Sequence, residues 1–229
     1  SGVFKAGYGM GDAYPEAEDY IKAYIRSNTI QKYVELVRNA KSRLTIPVIA
    51  SVNCFSGGEW VSFARQLEEA GADALELNVF ILPVNEFKES AEVENVYFEI
   101  VKSIKSQIKI PVSVKISHYF TNLSAFVDKI KAYGANATTL FNRFYEPDIN
   151  INTLEMGAAS VFSTAAELRT TLRWTGILAG KDKKLEISAS TGVHGGEAAV
   201  KLLLAGATTV QVCSVLYEKG IHVIEDINN

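Results

Sequence analysis

The sequence predicts an α/β fold, a (β/α)8 TIM barrel of which six strands are evident. Three observations lead there. Short β-prone runs alternate with helical patterns, and strands separated by helices make parallel βαβ units. Two stretches of equal length, Thr45–Asn78 and Lys109–Asn142, both run Ile-Pro-Val strand, helix, Gly-Ala, strand ending in Asn. A repeat of two βα units is a quarter of such a barrel. Finally, the last third carries two turns in tandem, one within Thr191-Gly-Val-His-Gly-Gly196 and one at Ser214. Paired turns of this kind at the carboxyl ends of adjacent late strands cradle a phosphate.

The elements follow in order. A helical pattern spans 16–42, and its acidic start, Glu16–Asp19, reads as a solvated face. Strands read at 45–52, 74–80, 111–117, 137–143, 185–191 and 208–214, each a short run rich in β-branched or aliphatic residues. Helices read at 57–70, 92–107, 122–133, 163–178 and 195–205. Gly71-Ala72, Gly134-Ala135 and Gly206-Ala207 sit where a helix ends on a residue of positive φ. Long loops, 81–92 and 144–162, follow two strands and suit lids or substrate loops. Residues 1–15 are too short and Gly-rich to supply the two missing strands, which are expected at the N-terminus. The final helix after Ile221 reads as cut short, and the opening Ser1 suits a processed chain or a piece of a longer one. No linker divides residues 1–229, which read as one partial barrel domain.

A net charge of −3 and a pI near 5.7 argue against a nucleic-acid or anionic-membrane surface. No apolar run is long enough to span a bilayer, and no signal peptide is visible. Cys54 and Cys213 lack metal or redox spacing and read as buried, reduced thiols of a cytoplasmic protein.

Strand alternation sorts the side chains. Val112, Val114 and Ile116 share one parity, and Ser113, Lys115 and Ser117 the other. Glu76 and Asn78, Glu186, Ser188 and Ser190, Gln211 and Cys213, and Ser51 and Asn53 form the corresponding polar sets. These point into the barrel and, near the carboxyl ends, at a site. Strand 137–143 ends with Asn142 and Arg143 on opposite parities. A polar interior is costly without partners. Lys115 therefore either pairs with Glu76 or Glu186, or faces a ligand. Asn78 and Asn142 are equally readable as turn formers or as ligand-facing amides. His118 and His194 lie on loops beside the site, where a lone histidine is more often solvent-facing. The aromatic run Phe141–Tyr145 reads as packing.

Several segments together resemble the dihydroorotate dehydrogenase family of flavin barrels, particularly its soluble, class-1-like branch, from about Tyr14 to Tyr217. They are Glu76-Leu-Asn-Val79, Pro111-Val-Ser-Val-Lys-Ile116, Phe141-Asn-Arg143, Thr191–Lys201 and Val210-Gln-Val-Cys-Ser214. The resemblance implies an FMN-dependent oxidoreductase converting dihydroorotate to orotate in pyrimidine biosynthesis. It implies Lys115 beside the flavin pyrimidine edge, tuning flavin electronics, and Asn78 and Asn142 as amide ligands to flavin or substrate. Thr191, Gly192 and Val193, with Cys213 and Ser214, would hold the FMN phosphate. It implies a small, dihydroorotate-like substrate and allows a homodimer, and nothing resembles an iron–sulfur subunit.

Two departures accompany it. The family's loop supplies a Cys or Ser base shortly before a Pro, but no residue between Asn78 and Pro83 accepts a proton, and Ser90 is a poor substitute. The family's first two strands, with another flavin-contacting lysine, are not evident. Two other classes compete: a Schiff-base aldolase or isomerase using Lys115 on a sugar phosphate, and a non-catalytic barrel fragment with open sheet edges.

Overall fold

A computed structural model of the chain describes residues 15–53, 57–144, 146–158 and 160–229, with side chains from Thr29 onward apart from that of Ala158. Cys54 and Tyr145, and the side chains of Glu16–Asp19, lie outside the described residues.

The elements are α1 (Pro15–Arg43), β1 (Ile49–Val52), α2 (Gly57–Glu69), β2 (Ala74–Asn78), α3 (Ser90–Lys105), β3 (Val112–Ile116), α4 (Leu123–Ala132) and β4 (Ala137–Leu140). An antiparallel hairpin follows, β5 (Pro147–Asn150) and β6 (Glu155–Ala158). The chain continues through α5 (Leu168–Lys181), β7 (Glu186–Ala189), α6 (Gly196–Leu204), β8 (Thr209–Val210), α7 (Ser214–Lys219) and α8 (Val223–Asn228). Six strands form one parallel sheet in the order β1-β2-β3-β4-β7-β8. This is the βα order that the sequence predicts.

The repeat has a structural basis. At each Gly-Ala step the Gly has positive φ, and the following Ala N–H bonds back into the helix, from Ala72 to Leu67 O, Ala135 to Ile130 O and Ala207 to Leu202 O. These bonds satisfy carbonyls that a helix end leaves unpaired. The next residue then ties the turn to the preceding strand. The side chains of Asp73, Asn136 and Thr208 accept from the N–H of Val48, Val112 and Ile187.

Sheet alternation directs the core. Val112, Val114 and Ile116 are fully buried against the helices, as are Leu75, Leu77 and Ile187. Burying each such side chain contributes roughly 1.5–3 kcal/mol. The opposite face carries Ser51, Glu76, Ser113, Lys115 and Thr139, and it is concave. In a flat sheet with strands about 4.8 Å apart, β2 and β8 would stand about 19 Å apart. Yet Gln211, just after β8, donates to Glu76 of β2 at 2.6 Å. Only a curled sheet, part of a barrel wall, allows that contact.

Some boundaries differ from the sequence reading. The segment 144–162 contains the hairpin rather than an irregular loop. Its first strand is exposed throughout, so it carries no burial alternation to signal it. The helix expected from 163 starts at Leu168, after a 3-10 turn, Ala165–Glu167, that is closed by a Thr164–Glu167 capping box. The strand expected over 208–214 pairs only at Thr209–Val210, because Ser214 already begins a helix.

Candidate active site

The polar face of the sheet converges on Glu76, which is 4% exposed. Ser51 Oγ donates to Oε1 (2.8 Å), and Thr139 Oγ1 and Gln211 Nε2 donate to Oε2 (2.8 and 2.6 Å). Lys115 Nζ lies 3.5 Å from Oε1 and donates to Gln211 Oε1 at 3.0 Å. Burial is the largest single influence on the Glu76 carboxyl and pushes it up. The charge of Lys115 and the bonds from Gln211, Thr139 and Ser51 outweigh it, holding the group below the ordinary carboxylate range. Of the two carboxylates the parity offered to Lys115, the adjacent strand's Glu76 takes it. Glu186 lies two strands away at the start of β7 and is exposed.

Beyond this cluster, at the carboxyl ends of the strands, lies a cavity of about 290 Å³. Every site residue singled out in the sequence lines it: Asn78, Lys115, Asn142, Thr191, Gly192, Val193, Cys213 and Ser214. Asn142 is held in place by its own N–H to Ile116 O (2.8 Å) and by its side-chain amide donating to Lys115 O (3.3 Å). Asn78 Oδ1 is buried with no hydrogen-bond partner among the described residues. An acceptor in that state costs about 1–3 kcal/mol until a donor arrives. Phe80 closes one side, its ring 4.1 Å from that of Phe144. A larger cavity of about 380 Å³ lies at the β1 edge between α1 and α2, and none of these residues lines it.

The turn after β7 is built for close approach. Gly192 has φ +80°, and a Cβ there would stand 2.2 Å from the backbone nitrogen of Leu168. Thr191 is held at φ +82°, an unfavourable conformation for a β-branched residue. Its hydroxyl donates to Phe141 O (3.1 Å), and Thr171 anchors the preceding Ser190 O (2.9 Å).

Sequence reasoning missed two features. Ser163, from the segment before α5, lines the cavity and is 8% exposed. Its N–H donates to Ser214 Oγ (2.9 Å), its hydroxyl meets Ser214 Oγ at 3.0 Å, and His194 Nε2 lies 3.2 Å from it. His194 is thus half-buried rather than solvent-facing, with Nδ1 3.6 Å from Glu218. The second is Arg143, three residues beyond β4. It donates to Glu167, Glu146 and the carbonyls of Ser160 and Val161, tying the hairpin segment over the site. No local pattern announces either, since most of their partners lie far along the chain. Cys213 is exposed rather than buried, because the strand ends before it. Ser90 begins α3 and does not line the cavity.

The dihydroorotate dehydrogenase family model matches residues 25–229. The chain belongs to the dihydroorotate dehydrogenase family. It is 28% identical to a putative dihydroorotate dehydrogenase A (fumarate) of Aeropyrum pernix, over 97% of this chain and 74% of that protein. It is 30% identical to the dihydroorotate dehydrogenase B (NAD(+)) catalytic subunit of Thermoplasma acidophilum, over 86% of this chain and 66% of that one. The structure of the Eimeria tenella dihydroorotate dehydrogenase in complex with ferulenol superposes with a TM-score of 0.65 at 15% identity, covering 86% of this chain and 61% of its own. The shared architecture is the barrel of this dehydrogenase family, and the chain spans only part of each relative's length. Among the described residues no helix is long and apolar enough to cross a membrane, and no cluster of ligating side chains could hold a metal ion.

Proposed function

We propose that this chain is an FMN-dependent oxidoreductase of the dihydroorotate dehydrogenase type, acting on a C–C single bond beside a carbonyl in a small ring. The observation that carries the reading is the convergence of eight residues from five strand ends on one cavity, with the unpartnered Asn78 Oδ1 among them. That donor set fits a flavin. It offers a cation and amides to the ring edge, and hydroxyls and a Gly-bearing turn to the phosphate.

FMN bound there would supply the hydride acceptor, and the proton lost from the neighbouring ring carbon would pass to water. Lys115 supplies positive charge at a fixed place, because Gln211 and Glu76 hold its ammonium group. Asn78 Oδ1 accepts an N–H from the ring, relieving its own burial. Thr191 and Ser214, with Ser163 beside them, offer hydroxyls to an anionic end, and the backbone of Gly192 and Val193 approaches closely because Gly192 has no side chain. Phe80, with the ring of Phe144 against it, lines the side where the family's base loop lies. Val79, Phe80, Ile81 and Leu82 leave that loop without a proton acceptor.

The test is an absorption spectrum of the purified chain with FMN, followed by anaerobic addition of dihydroorotate or 5,6-dihydrouracil. A perturbed flavin spectrum that bleaches with either ring is expected. Failure to bind FMN at all would refute the proposal.

A further inference from the structure

We infer that Gln211 is a positioning residue: it holds the Lys115 ammonium group apart from Glu76 and so fixes how much positive charge the cavity at the carboxyl ends offers to a bound ring. The inference deepens the reading above and rests on it in placing a flavin ring edge beside Lys115.

The strand register pairs Glu76 with Ser113 and Asn78 with Lys115, which puts the lysine one layer nearer the carboxyl ends than the carboxylate. A lysine and a carboxylate left to themselves close to a hydrogen bond of about 2.7–2.9 Å. Here Lys115 Nζ stays 3.5 Å from Glu76 Oε1. Gln211 accounts for the gap. Its Oε1 accepts from Lys115 Nζ at 3.0 Å, while its Nε2 donates to Glu76 Oε2 at 2.6 Å. The two ends of this amide are not interchangeable. Turned over, it would present an NH2 group to an ammonium and an oxygen to a carboxylate. Ser51 and Thr139 bond the same carboxylate, one at each oxygen, so Glu76 is held without closing on Lys115. Of the three donors on the ammonium group, Gln211 takes one and Glu76 faces a second, which leaves one for a ligand.

The cluster is also polarised along the barrel. Glu76 lines a separate cavity of about 150 Å³ at the amino ends of the strands, where Ile49, Ala74 and Glu186 also lie. Lys115 lines the cavity at the carboxyl ends, and Gln211 lines both. The positive end of the pair therefore faces the site, and the negative end is set back behind it. A reduced flavin ring holds more negative charge than an oxidised one, so a nearer cation favours the reduced form and a nearer anion opposes it. Two changes then act with opposite sign. Neutralising Glu76 strengthens the positive field in the cavity. Removing the Gln211 amide lets Lys115 and Glu76 close on each other, which draws the ammonium group back from the ring and weakens the field.

The test is the midpoint potential of FMN bound to the full chain, measured by equilibration with reference dyes. Glu76→Gln keeps the shape of the side chain and should favour the reduced form about tenfold, a rise of about 30 mV for a two-electron couple. Gln211→Leu should disfavour it about tenfold, a fall of about 30 mV. Gln211→Met keeps the unbranched length, should act as leucine does, and replaces it should the leucine variant fold poorly. In a Lys115→Met background, Gln211→Met should change the ratio of the two forms by less than about twofold, since the glutamine acts through the lysine. General loosening of the cluster would move the Glu76 and Gln211 variants in the same direction. Shifts of the same sign, potentials unchanged from wild type, or an undiminished Gln211 effect without Lys115 would each overturn the inference and leave the flavin reading standing. Failure of the wild-type chain to bind FMN would overturn both.

Discussion

Replacing Glu76 by leucine should destabilise the fold by about 3 kcal/mol, the lower end of what removing one partner of a buried ion pair costs. The carboxylate accepts from Ser51, Thr139 and Gln211 and faces Lys115, and leucine returns none of these contacts. The lower end applies because the orphaned partners have some recourse. The Lys115 side chain is 20% exposed and can hydrate in part, and Thr139 keeps its contact with Ser113 (3.0 Å). For a chain of this length each kcal/mol moves the midpoint by about 2–4 °C, so melting should fall by about 6–12 °C. Urea and thermal unfolding followed by circular dichroism measure both. Lys115→Met should cost less in the Glu76→Leu background than alone, since the two act as a pair. The acid limb gives an independent reading. A carboxyl held low in the folded state contributes stability above its ordinary value and loses it as pH falls through the lowered one. Wild-type stability should therefore drop more steeply than that of Glu76→Gln as pH falls below about 4.5. A leucine variant within about 1 kcal/mol of wild type, with additive costs for the two residues, would refute the reasoning.

Gly192→Ala should cost more than about 3 kcal/mol or prevent folding, because the new methyl would overlap the Leu168 backbone at a positive φ; an alanine variant with wild-type melting would show that the turn can move. His194→Ala should weaken FMN about tenfold, roughly the loss of one hydrogen-bonded partner, and leave riboflavin unaffected, since His194 backs Ser163 at the end assigned to the phosphate. Fluorescence quenching by the two flavins measures this, and an equal loss for both would detach His194 from the phosphate. The Tyr97 phenol, pushed up to about 12 by burial, should stay protonated in the folded chain while exposed tyrosines ionise. Absorbance titration at alkaline pH checks it, with stability falling as pH rises from the ordinary tyrosine value towards the raised one. A full tyrosine titration before unfolding would contradict the burial of Tyr97.

Whatever depends on near neighbours in the chain was legible from the residues. The alternation of strand and helix, the Gly-Ala steps and the split of Val112, Val114 and Ile116 from Ser113 and Lys115 all follow from periods of two and 3.6 and from the φ that glycine permits. The shared placement of Asn78, Lys115, Asn142, Thr191 and Ser214 around one cavity was legible for a related reason: strand ends in a parallel sheet open on the same side. Partnership was not legible. Glu76 and Gln211 are separated by 135 positions in the chain and meet only because the sheet curls. Arg143 is held by Glu146, Ser160, Val161 and Glu167, which flank the hairpin, and Ser163 meets His194 from another loop. Such pairings depend on curvature and loop path, which arise from packing the whole sheet. Residue type placed charge near the site, while the tertiary structure decided which charges were already neutralised and which acceptor, Asn78 Oδ1, was left waiting for a donor.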